Sequence, residues 1–97
     1  MQSEDIVLAS EFCVHHNIEL SFIHSLEEHG LIETVSVQER IFLPVSQLER
    51  LEKILRLHFD LDINIEGIET ITYLLERMQG MQEKIIQLTN RLKAYEE

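Results

Sequence analysis

Apolar residues in the last third of the chain recur in alternating steps of three and four positions. The repeat comprises Ile71, Leu74, Met78, Met81, Ile85, Leu88, Leu92 and Tyr95. This heptad spacing predicts one long amphipathic helix whose apolar stripe packs against another helix in a coiled coil. Asn64 can begin such a helix, because its side chain can accept a bond from a backbone N–H group. We therefore expect a helix from Asn64 to about Tyr95.

The expected helix is longer than the rest of the domain. A helix of about thirty residues extends ~45 Å, whereas a compact domain of this chain length is about 26 Å across. Part of the helix must then project, and its apolar stripe needs a partner, for which we expect a second copy of the chain. The contacts of this homodimer form the coil seam, which we define as Met78, Met81, Ile85, Leu88, Leu92 and Tyr95. The alternative is that the tail folds back on its own domain or frays.

Shorter apolar patterns precede the long helix. A strand over residues 6–8 is expected first, followed by a short helix that Ser10 caps and that ends near residue 15. Asn17 stands where a left-handed turn residue is needed, since asparagine tolerates a positive φ. A second helix is expected over residues 20–29, and Gly30 ends it.

The middle of the chain changes from helical to strand-like spacing. Residues 31–43 are rich in β-branched side chains, which predicts a β-hairpin that turns near residues 37–39. Ser46 and Glu49 then match a capping box at the start of a third helix. Residues 60–63 form a short link to the long helix.

These elements together predict a mainly α-helical protein. Two short helices joined by a tight turn, followed by a small β-hairpin wing, indicate a winged helix-turn-helix. The long C-terminal helix then forms the coiled coil. We divide the chain into a winged helix-turn-helix domain over residues 1–63 and a dimerisation helix over residues 64–97.

The distribution of charge conflicts with the usual use of such a fold. Residues 1–43 hold eight acidic residues against Arg40 alone, a net charge of −7, and residues 44–97 hold ten acidic and seven basic residues, a net charge of −3. Because binding to duplex DNA depends on Lys and Arg at the phosphates, nucleic acid is an unexpected partner. An acidic face instead suits a basic protein.

Two groups of acidic residues are candidates for the partner-binding surface. The first group is Glu11, Glu27 and Glu28. The second group is Asp60, Asp62 and Glu66. The sequence does not decide between them, and each residue can equally belong to a solvated face. Phe59, Leu61 or Ile65 could supply the apolar anchors that affinity usually needs, although such residues more often lie in a core.

Catalysis and cofactor binding find little support in the sequence. His24 and Glu28 are spaced to supply two metal ligands, but a closed zinc site usually needs four. No phosphate-binding glycine loop and no nucleophile motif occurs, so we expect neither an enzyme nor a cofactor. Cys13 is the one cysteine, which allows no internal disulfide, and we expect it to be a small buried apolar residue. With no signal-peptide pattern and no membrane-length apolar run, the chain is expected in the cytoplasm.

Residues 8–75 resemble the helix-turn-helix domain of the MerR family. The resemblance rests on three segments: the stretch from Asn17 through HGLIE at residues 29–33, the Arg40-Ile41-Phe42 step at the wing, and INIEGIETITYLL at the start of the long helix. It implies a MerR-like fold and, as one alternative, a DNA-binding transcriptional regulator. The recognition helix departs from that alternative, since His24-Ser25-Leu26 stands where MerR activators carry Arg. The wing departs from it too, because acidic Glu33 and Glu39 replace basic residues.

More narrowly, the chain resembles the CbpM-type chaperone modulators. The matching segments are ASEFCVHHNI, SLEEHGLIE and LERLEKILRLHFDLDINIEGIETI, followed by a short coil with no effector domain expected after it. The resemblance implies binding to the J-domain of a CbpA/DnaJ-like co-chaperone and inhibition of its activity. J-domains present a basic helix beside their His-Pro-Asp motif, which an acidic face could cover. A third possibility is a structural dimerisation module with another partner.

Overall fold

The computed structural model describes residues 5–96 and is mainly helical. A winged helix-turn-helix is followed by a long C-terminal helix, as the sequence predicts. The helices and strands, in chain order, are β1 (Ile6–Leu8), α1 (Ala9–His16), α2 (Leu20–Glu28), β2 (Val35–Val37), β3 (Arg40–Pro44), α3 (Leu48–Leu55) and α4 (Ile65–Glu96). A 3-10 turn over Val45–Gln47 precedes α3, and a π-helical turn over Arg56–Asp60 follows it.

The helix-turn-helix depends on two left-handed residues, Asn17 and Gly30. After α1, Asn17 has φ 55°, and Ile18 N donates to the Cys13 carbonyl at 2.9 Å. After α2, Gly30 has φ 71°, and Leu31 N donates to the Leu26 carbonyl at 2.9 Å. Each ending is a Schellman motif, in which a left-handed residue lets the following N–H groups satisfy the last helical carbonyls. Both turn residues are therefore where the sequence predicts them.

Ser10 does not cap α1. The helix begins at Ala9, two residues earlier than a Ser10 cap implies, and its N-cap is Leu8, without a side-chain cap bond. Leu8 pairs with Phe42 at the end of β1. The chain thus passes directly from a paired strand into the helix, which leaves Ser10 inside the first turn.

The wing is a β-hairpin within a small antiparallel sheet. In the part of the chain that the structure describes, the sheet has three strands in the order β1-β3-β2. Val37 pairs with Arg40 across the turn, and both turn residues, Gln38 and Glu39, have a positive φ (51° and 63°). That is the backbone of a two-residue type I′ turn, and it confirms a hairpin turning near residues 37–39.

The start of α3 differs from the expected capping box. Ser46 lies inside the 3-10 turn, and the N-cap of α3 is Gln47. Helical winding begins at Val45, directly after β3. At the same residue, Val45 N donates to the Asp5 carbonyl at 2.9 Å, which connects the start of the turn to the residue before β1. The Gln47 side chain accepts a bond from Glu33 N at 3.1 Å and so connects the wing to this turn.

One compact core holds the winged helix-turn-helix together. Its fully buried large side chains are Ile23, Leu26, Leu43, Leu51 and Ile68. These residues come from α2, β3, α3 and α4, so a single set of contacts fixes the elements relative to one another. Within the described chain, Ile68 is the only buried residue of α4.

The long helix begins as predicted and leaves the domain after its first two turns. Asn64 Oδ1 accepts a bond from Gly67 N at 2.7 Å, which makes Asn64 a side-chain N-cap. The 32 residues of α4 extend ~48 Å at the usual rise of ~1.5 Å per residue. From Tyr73 to Glu96 every described residue is exposed. The proposed division between residues 63 and 64 remains a prediction.

No helix among residues 5–96 is both long enough and apolar enough to cross a membrane.

Two glycines in α4 provide a matched test of its first turn. A Cβ atom at Gly67 would lie 2.8 Å from Ile63 Cγ2 and 3.0 Å from Asn64 Oδ1, whereas a Cβ atom at Gly80 would meet no atom within 4 Å. Gly80→Ala should raise the free energy of unfolding by about 0.5–1 kcal/mol, because alanine is the better helix former. Gly67→Ala should instead lower it by about 1 kcal/mol, since Ile63 or the capping side chain must move. Urea unfolding at a fixed protein concentration measures the free energy of unfolding of both variants. An equal increase in the two would contradict the close packing around Gly67.

Candidate protein-interaction site

The face that a helix-turn-helix normally turns toward DNA is acidic in this chain. On α2, the helix in the recognition position, the exposed side chains include His24, Glu27 and Glu28. In the wing, Glu39 and Arg40 are both exposed. Arg40 is the one Lys or Arg among residues 1–43. The surface therefore offers few cations to phosphates and several carboxylates to a basic partner.

The first acidic group is spread over two helices. Glu11 lies on the exposed side of α1 beside a shallow depression that Val14 and His15 also line. Glu27 and Glu28 lie at the end of α2, where the Thr34 hydroxyl donates a hydrogen bond to the Glu27 carboxylate. Glu27 therefore helps to hold the entry to the wing, in addition to contributing negative charge.

The second acidic group lies at the junction between the π turn and α4. Asp60 ends the π turn, and Asp62 follows with φ 55°, a left-handed conformation that aspartate tolerates better than most residues. Glu66 lies in the first turn of α4, where a negative charge complements the helix dipole. All three are exposed, and they fall within one short segment, unlike the first group.

An aromatic cluster lies beside the second acidic group. The His58 ring is 4.7 Å from the centroids of both Phe22 and Phe59, and the two phenylalanine centroids are 5.6 Å apart. His58 Nδ1 donates to the Ile63 carbonyl at 2.8 Å, which connects the ring to the end of the link before α4. The cluster thus joins α2 to the π turn.

Phe59 lies in the π turn and is exposed. It follows Leu55 by four positions and Leu51 by eight, so a continuous α-helix would keep it near their buried stripe. The π turn widens the helix at this point, and Phe59 has 53% of its surface exposed, while Leu51 and Leu55 are buried. Of the predicted apolar anchors, Phe59 and Leu61 are exposed, whereas Ile65 packs partly against the core.

Two adjoining cavities flank Phe59. The larger, of about 530 Å³, lies between the turn after α1 and the C-terminal part of α3 with the π turn. The smaller, of about 360 Å³, lies between that same turn and α2. Both are lined by Asn17, Ile18 and Phe59, so the two cavities adjoin at these residues and together make a groove beside the Phe59 ring. We call it the Phe59 groove. Sequence reasoning missed it, because no residue pattern signals the π turn.

The coil seam projects from the domain with its apolar side chains uncovered. Each of its six residues is at least half exposed in the single chain: Met78, Met81, Ile85, Leu88, Leu92 and Tyr95. An apolar stripe of this length in water normally has a partner. The homodimer remains a prediction, which the heptad spacing and this exposure both favour.

Cys13 lies in the core and not on either candidate acidic surface. Its side chain is buried, and burial raises the pKa of its thiol by penalising the charged form. A buried thiol of this kind is a poor nucleophile. Among residues 5–96, no group of three or more His, Cys, Asp and Glu side chains is arranged to hold a metal ion.

The amino-acid sequence matches a known protein family. The model of a family described as MerR HTH family regulatory protein matches residues 7–90, most of the chain. The chain belongs to this MerR family. No curated protein and no solved structure matches it. The match covers α1, the wing, α3 and most of α4, so the MerR-like resemblance is confirmed, whereas the CbpM-type resemblance is not tested by it.

The coil seam predicts how this MerR-family chain assembles. Ile85→Asp should convert a dimer to a monomer, because the charge would be buried against the partner helix. Gln87→Asp, an equal charge on the outer side of the helix, should leave the dimer intact. Light scattering over a range of protein concentrations gives the mass of each variant. A dimeric Ile85→Asp protein would show that the seam is wrongly assigned.

The buried thiol predicts a pH dependence of stability. Because folding raises the Cys13 pKa, the thiol of the unfolded chain ionises first, above about pH 8.5. The contribution of the neutral Cys13 thiol to the free energy of unfolding is therefore complete below that pH. It is lost as the pH rises, by at most about 1.4 kcal/mol per pH unit. Urea unfolding between pH 7.5 and 10 should show this loss in the native chain and a shallower one in Cys13→Ala. Equal slopes in the two proteins would contradict the burial effect.

Proposed function

We propose that this protein is a chaperone modulator that binds the J-domain of a CbpA/DnaJ-like co-chaperone and inhibits its activity. The observation that carries the proposal is a MerR-family helix-turn-helix whose recognition helix and wing bear carboxylates in place of cations. The fold is that of a macromolecule-binding domain, while the charge favours a basic protein over DNA. The resemblance of three long segments to the CbpM-type modulators narrows the partner to a J-domain.

The proposed inhibition results when this protein covers one surface of the J-domain. A J-domain presents a basic helix next to its His-Pro-Asp motif, and this region is used in its work with the DnaK chaperone. Carboxylates on the modulator attract that helix and steer the encounter, while apolar contacts supply most of the affinity. Once the helix is covered, the J-domain is withheld from its chaperone. This mechanism needs no catalytic group and no cofactor.

The proposed assembly is a homodimer in the cytoplasm, where the co-chaperone works. In α4, the residue buried in the domain core is Ile68, and the coil seam begins well after it, at Met78. Pairing through the coil seam therefore leaves both winged helix-turn-helix domains outside the coil. Each domain then retains its own acidic groups. The proposal therefore includes one J-domain site in each protomer.

A MerR-type transcriptional regulator that binds DNA is the second candidate. The match to a family described as MerR HTH family regulatory protein favours it. The charge opposes it, because one arginine in residues 1–43 offers little phosphate neutralisation and the carboxylates repel the duplex. Fluorescence anisotropy with a labelled duplex at low salt separates the two candidates, since a regulator should bind and a modulator should not.

Calorimetric titration with the purified J-domain of a CbpA-like protein from the same organism tests the favoured function. We expect micromolar or tighter binding that weakens between low and moderate salt, because opposite charges are screened. No heat and no co-elution at tens of micromolar would contradict the proposal for that partner.

Single charge removals can then identify the acidic group that binds. Glu28→Gln reports on the first group and Asp60→Asn on the second, with Glu83→Gln on the outer side of the coil as the control. The variant in the binding group should weaken affinity about two- to fivefold at low salt, the usual size for an exposed charge pair. Equal effects from all three would indicate attraction to net charge alone.

A further inference from the structure

We infer that the Phe59 groove is the docking site for a basic amphipathic helix of the partner, with one apolar side chain of that helix seated against the Phe59 ring. This inference rests on the proposed function and specifies where the J-domain binds. It favours the second acidic group, of which Asp60 lines the groove, over the first.

The apolar part of the argument is the exposed ring at the centre of a concave surface. Phe59 is 53% exposed, and it lies between the cavities that Ile18, Phe22 and Leu55 help to line. Large aromatic side chains in pockets, surrounded by polar residues, are the usual anchors of protein interfaces. The two cavities on either side of the ring provide room for an aliphatic side chain of a partner.

The rim of the groove selects the charge of the partner. Three carboxylates, from Glu19, Glu52 and Asp60, line the groove, and Arg56 is the one Lys or Arg among its described lining residues. The rim thus has a net charge of −2 with histidine neutral. A helix that places an apolar side chain on Phe59 would bring its neighbouring side chains to these carboxylates. Lys or Arg at those positions would be attracted, and Asp or Glu would be repelled.

The groove is held in shape before any partner arrives. Its two walls are joined by the contact between the His58 and Phe22 rings, which are tilted by 34° and have centroids 4.7 Å apart. The end of the π turn is closed by the His58 bond to the Ile63 carbonyl and by Ile63 N donating to the Leu57 carbonyl at 3.1 Å. A preformed site loses less conformational entropy on binding than a flexible one. π turns also occur frequently at functional sites.

The exposed apolar residue on α1 gives a matched comparison. Val14 has 83% of its surface exposed and lies beside Glu11 of the first acidic group. Phe59→Ser and Val14→Ser each replace an exposed apolar side chain with the same polar one. In titrations of the full chain with the J-domain, Phe59→Ser should weaken binding about tenfold or more, as expected for an anchor. Val14→Ser should bind within about twofold of the native chain.

A conservative variant separates loss of the anchor from loss of the fold. Phe59→Leu keeps an apolar side chain and should bind better than Phe59→Ser, while thermal unfolding by circular dichroism should show both variants folded. Native affinity in a folded Phe59→Ser protein would overturn the inference while leaving the proposed function intact. A larger loss in Val14→Ser would overturn it too and move the site to the first acidic group.

Failure of the native chain to bind the J-domain would contradict the proposed function, and a second probe then tests the groove itself. A synthetic amphipathic helix of Lys and Leu would be titrated into the ¹⁵N-labelled chain. Amide shifts confined to the surroundings of Ile18, Phe22 and Phe59 would support the groove as a site for basic helices. Shifts elsewhere, or none, would overturn it.

Discussion

The burial of Ile68 fixes the relation between the domain and the long helix. It is the one buried residue of α4 in the described chain, and it packs with Ile23, Leu26, Leu43 and Leu51, each of them fully buried. The Asn64 cap begins the helix one turn earlier and fixes its direction. Two polar pairs also join the domain to α4: a hydrogen bond between His29 Nδ1 and the Glu69 carboxylate at 2.9 Å, and an ion pair between Arg50 and Glu76 at 3.6 Å. Both pairs are exposed and contribute little stability, so the apolar contact dominates.

This attachment divides the chain into surfaces with different physical properties. Beyond the first two turns, α4 presents an apolar stripe that suits another helix. On the domain, α2 and the wing present carboxylates, and the Phe59 groove presents an aromatic ring inside an acidic rim. A MerR-family architecture is therefore combined with a surface that repels phosphates. Fold and surface charge carry separate information here, because the described core residues that specify the fold are apolar and the charged side chains lie outside that core.

Much of the fold follows from the sequence because its signals are local. Asn17 and Gly30 mark turns that need a positive φ, and the unbroken heptad marks α4. The hairpin was also predicted, although its turn residues Gln38 and Glu39 are unusual for a positive φ. Pairing of β3 on both sides fixes the register, and the turn must then adopt the conformation that joins the strands. Tertiary pairing overrides residue preference at this point.

The features that sequence reasoning missed arise from departures from ideal helices. The Ser46–Glu49 motif matches a capping box, but the chain is already winding at Val45 because its amide is tied to Asp5. The spacing of Leu51, Leu55 and Phe59 fits a continuous α-helix, which would place Phe59 near the core. The α-helix instead gives way to the π turn at Arg56, and the Phe59 ring within that turn is exposed. The candidate anchors could be named from the sequence, whereas their exposure and the groove required the three-dimensional structure.

The most direct test of the central claim is the steady-state ATPase rate of DnaK in the presence of the CbpA-like co-chaperone. The J-domain raises that rate, and increasing amounts of this protein should return it toward the unstimulated value without changing the rate of DnaK alone. A stimulated rate that stays constant at concentrations far above those of the co-chaperone would contradict the claim that this protein restrains a J-domain.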